Sequence, residues 1–192
     1  MIRPSVLAML ALTLGPPAAR ATDLDFAASK ITVHVEKTGL FSAFAHNHVI
    51  AAPLASGAID VQKQTIQLTF RAADMKVLDP DASASDRSTV ETNMKGDEVL
   101  DVARFPEIKF VSTSVDAPAT GAGVPAHYQV HGNLTLHGVT RPIEMSVVFS
   151  GGHYTGKVTL KQTDFGITPI KIGGGAIRVK DPIEIDFEIA TK

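Results

Sequence analysis

The run from Tyr128 to Phe149, YQVHGNLTLHGVTRPIEMSVVF, decides the fold, because two alternating segments flank a short stretch of turn residues. Val130, Gly132, Leu134 and Leu136 take one face of the first segment and His131, Asn133, Thr135 and His137 the other, the period of two of a half-buried strand. In the second segment Ile143, Met145, Val147 and Phe149 alternate with Glu144 and Ser146. Gly138 suits the positive φ of a chain reversal, and Pro142 suits a strand start, where a missing N–H costs little. The spacing predicts a β-hairpin around which the other strands assemble.

The same alternation recurs on both sides of that hairpin. Ile31, Val33 and Val35 alternate with Thr32, His34 and Glu36. Strands are expected over Ala58 to Val61 and over Thr65 to Arg71, with Ile66, Leu68 and Phe70 sharing a face, and again over Tyr154 to Thr163. Near the end Ile183, Ile185, Phe187 and Ile189 alternate with Glu184, Asp186 and Glu188, a strand placed to complete a barrel. Only the region from Asp79 to Leu100 breaks the period. Its DPDASASD run is turn material, and Ser85 or Asp86 is expected to cap a helix running to about Leu100, with Gly96 opposing an unbroken helix. The expected fold is all-β, an antiparallel β-barrel with one short helical excursion.

Arg3, the apolar run Val6 to Leu14 and the small residues Ala19-Arg20-Ala21 form the three parts of a secretory signal peptide. The pattern predicts a signal over residues 1–21 and a barrel domain over 22–192. That apolar run is shorter than the ~18 residues needed to span a bilayer, and no later segment reaches that length, so the chain is not expected to be membrane-spanning. A 44% hydrophobic content and a net charge of −2 give no electrostatic bias toward nucleic acid. The absence of Cys excludes disulfides and a lipid-modified Cys at the processed terminus. A soluble periplasmic protein is expected.

Three blocks carry a family resemblance. Residues 132–143, GNLTLHGVTRPI, closely resemble the Gly-x-Leu-Thr-(Ile/Leu)-x-Gly-Val-Thr-(Lys/Arg)-Pro-Val run of the YceI-like family. Leu100-Asp101-Val102, Phe105-Pro106, Ile108 and Phe110 resemble a second block of that family, and Asp164-Phe165-Gly166-Ile167 a third. The blocks stand in family order and lie between Met94 and Lys192. The resemblance implies a periplasmic protein with a lipocalin-like barrel that binds polyisoprenoid lipids. The N-terminal third departs from the pattern. Asp25 is followed by Phe26-Ala27-Ala28-Ser29 where the family usually has a His, and His46-Asn47-His48 stands where a plainer strand is usual. These departures bear on the ligand rather than on the fold.

His46 and His48 project to one face of an extended strand, together with Phe44 and Ile50. Two imidazoles are part of a metal set, but zinc normally takes at least three protein ligands, and the third would have to be His34, His131, His137 or a carboxylate brought in by the fold. The pair also suits a polar clamp on a ligand head group, or plain strand histidines bonded to backbone or water. His131 and His137 read as polar-face residues, and Asp97 and Asp101 as a solvated pair on one helix face. There is no Gly-x-Ser-x-Gly, no His-Glu-x-x-His, no Walker loop and no Cys nucleophile, so neither enzymatic activity nor a bound cofactor is expected. Gly173-Gly174-Gly175 lacks the context of a phosphate cradle and reads as a mobile loop or tight hairpin.

Three functions compete. In the first, parity turns Phe44, Leu68, Phe70, Phe110, Leu134 and Leu136 inward, and with His46 and His48 they contact a long-chain isoprenoid lipid, each buried CH₂ contributing about 0.8 kcal/mol. In the second, His46 and His48 hold a metal in a redox or enzyme-like protein. In the third, the barrel is filled by its own side chains and acts as a periplasmic interaction partner. The oligomeric state is not legible.

Overall fold

The computed structural model describes residues 22–39, 47–116 and 125–192. The expected signal over 1–21, and Phe44 and His46, lie outside the described residues. In chain order the elements begin with β1 (Leu24–Val35), β2 (Lys37–Thr38), β3 (His48–Ala51), β4 (Leu54–Asp60), β5 (Thr65–Arg71) and β6 (Lys76–Val77). Helix α1 (Ala84–Lys95) follows, then β7 (Glu107–Asp116), β8 (Ala126–Leu136), β9 (Val139–Ser150) and β10 (His153–Lys161). A small hairpin of β11 (Lys171–Ile172) and β12 (Ile177–Val179) precedes the last strand, β13 (Pro182–Thr191).

One antiparallel sheet runs β4-β5-β7-β8-β9-β10-β13-β1-β3-β6. The chain from β3 into β4 then lies along β1. Val35 opposes His48 and Thr32 opposes Ala51, the Ala52 N–H donates to Ile31 O at 2.9 Å, and Thr22 bridges to Ile59. β4 therefore begins the strand order and also returns beside β1, which curls the sheet into an antiparallel barrel. The terminal strand, expected to complete the barrel, sits between β10 and β1.

The central hairpin forms as read. β8 and β9 pair from Ala126↔Phe149 to Leu136↔Val139 around a two-residue turn of His137 (φ 51°) and Gly138 (φ 73°), the doubly positive turn whose twist matches paired strands. His137 thus lies in the turn and not on the polar face of a strand; its ring meets Phe105 edge-on at 4.8 Å. Pro142 lies inside β9 rather than at its start. Counting from the turn, the Asn133↔Pro142 pair is one that exchanges no hydrogen bonds, so the proline nitrogen faces away from β8. On that side β10 pairs with β9 only through Ser146 to Ser150, and the missing N–H interrupts no ladder.

The helix is shorter than expected and is capped two residues before Ser85. Ser83, not Ser85 or Asp86, is the N-cap, its Oγ accepting from the Asp86 N–H at 3.1 Å, and the helix stops at Lys95 before Gly96. The following residues fold into tight turns, with the Leu100 N–H donating to Met94 O and the Asp101 N–H to Gly96 O. Asp101 is buried there and paired with Arg104 at 3.3 Å, so it shares no helix face with Asp97. Gly173–Gly175 is a tight turn between β11 and β12.

Two inward glycines shape the lumen. A Cβ on Gly132 would come within 2.5 Å of Phe110 Cε2 and 2.7 Å of Val111 O, and one on Gly156 within 2.5 Å of Phe187 Cζ. The absent side chains let both aromatic rings lie flat against the neighbouring strand, inside the barrel.

Candidate functional site

Strand parity builds the candidate site. Leu68, Phe110 and Leu134 are direct partners across β5, β7 and β8, so they form one row on the inner face. Phe70 lies opposite Ile108 in the next row, and Leu136 is the next inward residue on β8. All five sequence-predicted residues among these line one cavity of 190 Å³, the space open to the centres of water-sized groups. Of its lining side chains among the described residues only Gln162 is polar, and its amide already donates to Lys180 O at 2.8 Å.

Several lining residues were read as strand positions without being named as site residues. Ile31 and Val33 of β1, with Ile183, Ile185 and Phe187 of β13, supply the opposite wall. The signal that marks them is the same period of two. Met94, Val99 and Leu100, from the end of α1 and the turns after it, also line the cavity at the end of the barrel they cover. Nothing in strand periodicity reveals them, because they arrive from outside the sheet.

His48 is the one member of the predicted histidine pair among the described residues. It shares a face of β3 with Ile50 and lies opposite Val35, both of which line the cavity, although His48 itself is not one of the lining residues. Its Nδ1 is 2.6 Å from Asp79 Oδ2, and Asp79 Oδ1 accepts the Val49 N–H at 2.7 Å. Asp79 is 4% exposed, so this is a buried carboxylate with both oxygens engaged, tying β3 to the turn that leads into α1. Asp79 was read only as turn material; it lies 31 residues from His48, beyond the reach of local pattern.

Two other histidines are also paired with carboxylates, His34 with Asp186 at 3.2 Å and His153 with Glu188 at 2.9 Å, both on the outer face. Lys157, hydrogen-bonded to Asp186 and Glu184, holds the Asp186 carboxyl below the usual aspartate value. Among the described residues no three His, Cys, Asp or Glu side chains are grouped so as to hold a metal ion, and no helix is long and apolar enough to cross a membrane.

At the barrel end away from α1 is a second cavity, of 120 Å³, lined by Ile59 to Val61 and Gln64 to Ile66 of the β4–β5 connection with Val115, Tyr128, Val130, Val147 and Tyr154. Tyr154 packs on Phe149 at 4.4 Å between ring centroids, and burial raises its phenol above the usual tyrosine value.

A family model described as the YceI-like domain matches residues 19–191. A UPF0312 protein of Pseudomonas savastanoi pv. phaseolicola (strain 1448A / Race 6) is 36% identical over 108 residues, covering 51% of this chain and 52% of that protein. Another, from Pseudomonas putida (strain W619), is 36% identical over 101 residues, covering 47% and 48%. The chain spans about half the length of the curated relatives it matches. Among solved structures, Burkholderia cenocepacia BcnA aligns with TM-score 0.65 at 20% identity, over 88% of this chain and 100% of that one. A polyisoprenoid binding domain from Saccharophagus degradans, implicated in plant cell wall breakdown, aligns with TM-score 0.62 at 15% identity, over 90% and 98%. At these identities the structural likenesses establish the lipocalin-like barrel fold and nothing further.

Proposed function

Because the chain belongs to the YceI-like domain family, we infer that it binds an isoprenoid lipid by enclosing hydrocarbon in the barrel cavity, and that it does so in the periplasm after export. The observation that carries this reading is the cavity wall, apolar at every described lining position but Gln162. Such a surface offers a sugar or nucleotide almost nothing to bond with, whereas it suits a branched hydrocarbon. The polyisoprenoid-binding domain of Saccharophagus degradans, with the same fold, supports the assignment, and the signal-like pattern of residues 1–21 supports export.

The cavity sets a scale. With 190 Å³ open to the centres of water-sized groups, it holds a segment of hydrocarbon rather than a whole polyprenyl chain. Each isoprene unit of five carbons buried there contributes about 4 kcal/mol against association costs of at least about 4 kcal/mol, so binding has to bury several units. A longer chain leaves its remaining units outside this volume.

Mass spectrometry of an organic extract of protein purified from periplasm tests the assignment, with titration of the stripped protein by farnesyl and longer prenyl compounds alongside. A co-purifying isoprenoid, or saturable binding of the prenyl series, is expected. An empty extract together with no binding by any prenyl compound refutes the reading. A mature chain that still begins at Met1 refutes export.

A further inference from the structure

The barrel end that carries α1 also carries the small sheet of β11, β12 and β2, whose charge is unbalanced. The sheet is held where the main cavity ends. Val35, which lines that cavity, lies two residues before Lys37, and the Lys180 N–H donates to Glu36 O at 2.8 Å. Residues that oppose one another across neighbouring strands share a face. Lys171 opposes Arg178 and Arg178 opposes Thr38, and all three are exposed. Ile177 and Val179 take the other face and are half-buried.

Two like charges set directly opposite one another destabilise a sheet unless something neutralises them. The chain itself does not. All 20 of its Asp and Glu lie among the described residues, yet none forms an ion pair with Lys171 or Arg178, whereas Lys180 close by is paired with Glu36 at 2.6 Å. The sequence excludes acids from this region: residues 165–180 contain Lys171, Arg178 and Lys180 and no Asp or Glu, and residues 37–59 contain none either. Arg178 Nε donates to Gly175 O at 3.0 Å, which fixes the guanidinium beside the glycine turn.

We propose that this cationic face is a docking surface for an anionic phospholipid bilayer, which brings the α1 end of the cavity to the lipid. The proposal goes beyond the lipid-binding reading and does not depend on what fills the cavity. Lys171 and Arg178 stand on an open sheet face and do not converge in a cleft, so they suit an array of phosphates better than a single bound anion. A Cβ on Gly174 would meet nothing within 4 Å, so the turn is open and its bare backbone lets the two cations approach a flat surface closely. The chain as a whole has a net charge of −2, so attraction to an anionic surface has to come from a local face of this kind. A basic side chain near such a bilayer contributes about fivefold in affinity, and the pair therefore about 25-fold, which suits a protein that docks and leaves.

The test measures binding of the purified full-length protein to two kinds of vesicle, equal parts phosphatidylglycerol and phosphatidylcholine, or phosphatidylcholine alone. The ratio of the two affinities cancels any contact that does not depend on charge. Wild type is expected to prefer the anionic vesicles and to lose the preference in 1 M salt, where the screening length is about 3 Å. In the double variant Lys171→Gln, Arg178→Gln the ratio should fall about 25-fold. A control double variant, Lys63→Gln, Lys109→Gln, removes two cations that carboxylates already neutralise and should keep the wild-type ratio within about twofold. Both altered pairs are exposed, so thermal melts of all three proteins should coincide. No anionic preference in wild type, or equal loss in the two double variants, overturns the proposal. So does a tongue variant that loses retention on immobilised poly-glutamate but keeps its vesicle ratio, an outcome that gives the face to an acidic protein instead. Farnesol titrated without vesicles separates the two readings. Wild type that binds farnesol without preferring anionic vesicles sinks docking alone, and wild type that prefers them but binds no prenyl compound sinks lipid binding alone.

Discussion

Replacing Gly132 by Ala adds one methyl group where the barrel has none to spare. In an unobstructed strand the change would stabilise the protein by about 0.5–1 kcal/mol, because glycine loses more backbone freedom on folding. Here the new Cβ would stand 2.5 Å from Phe110 Cε2 and 2.7 Å from Val111 O, so the ring and the facing strand both have to give. Overpacking of this kind typically costs about 1–3 kcal/mol, which in a domain of this size lowers Tm by roughly 2–12 °C. Urea unfolding of wild type, Gly132→Ala, Phe110→Leu and the double variant closes a thermodynamic cycle. The expected outcome is a double variant less destabilised than the sum of the singles by at least about 0.5 kcal/mol, since a shorter side chain at 110 relieves the contact. A stabilised Gly132→Ala, or singles that add within about 0.3 kcal/mol, would refute the placement of the Phe110 ring across the lumen.

Other outcomes follow from the same geometry. Leu134→Asp, on the inner face, should abolish retention of bound lipid and lower stability by several kcal/mol by burying an unpaired carboxylate, while Thr135→Asp should change either little; extraction and thermal melts of both check the register. Asp79→Ala removes a buried carboxylate that accepts from the part-buried Val49 N–H and pairs with His48, and should cost about 2–4 kcal/mol by chemical denaturation. Ser83→Ala removes the cap of α1 and should cost about 1 kcal/mol in the same assay. Asp181 accepts from the Thr163 N–H and, with less effect, from its hydroxyl, and these hold its carboxyl below the usual value. A depressed carboxyl stabilises the fold above its unfolded value and ceases to as the pH falls through the folded one, so Tm should drop below about pH 4 and Asp181→Asn should flatten that limb.

The strands were legible because the inside and outside of a barrel impose opposite demands on successive residues. On β8 and β13 nearly every inward position is apolar, and the parity read from Val130 or Ile183 holds to the end of the strand. Where local chemistry offered several equivalent choices, legibility fell. Ser83, Ser85 and Asp86 all suit a cap, and only the position that meets the Asp86 N–H wins. Pro142 looked like a strand start because its tolerance within β9 depends on how far a neighbouring strand extends. The Asp79–His48 bond and the covering of the cavity by Met94 and Leu100 join distant segments, and no local period encodes them. The second cavity was equally hidden, although Tyr128 shares the parity of Val130 and could have been placed inside by it.

The position of β13 between β10 and β1 has a kinetic consequence. Leu24 pairs with Thr191 and Val33 with Ile185, so the gap between β10 and β1 cannot close until the ten-residue strand β13 is available. Contacts so remote in sequence slow folding, toward milliseconds to seconds for β-rich chains, and a ribosome-bound chain lacking β13 has no route to a closed barrel. The topology thus acts as a timer. A strand that completes the structure from its middle keeps the barrel open until residues 182–191 have been made.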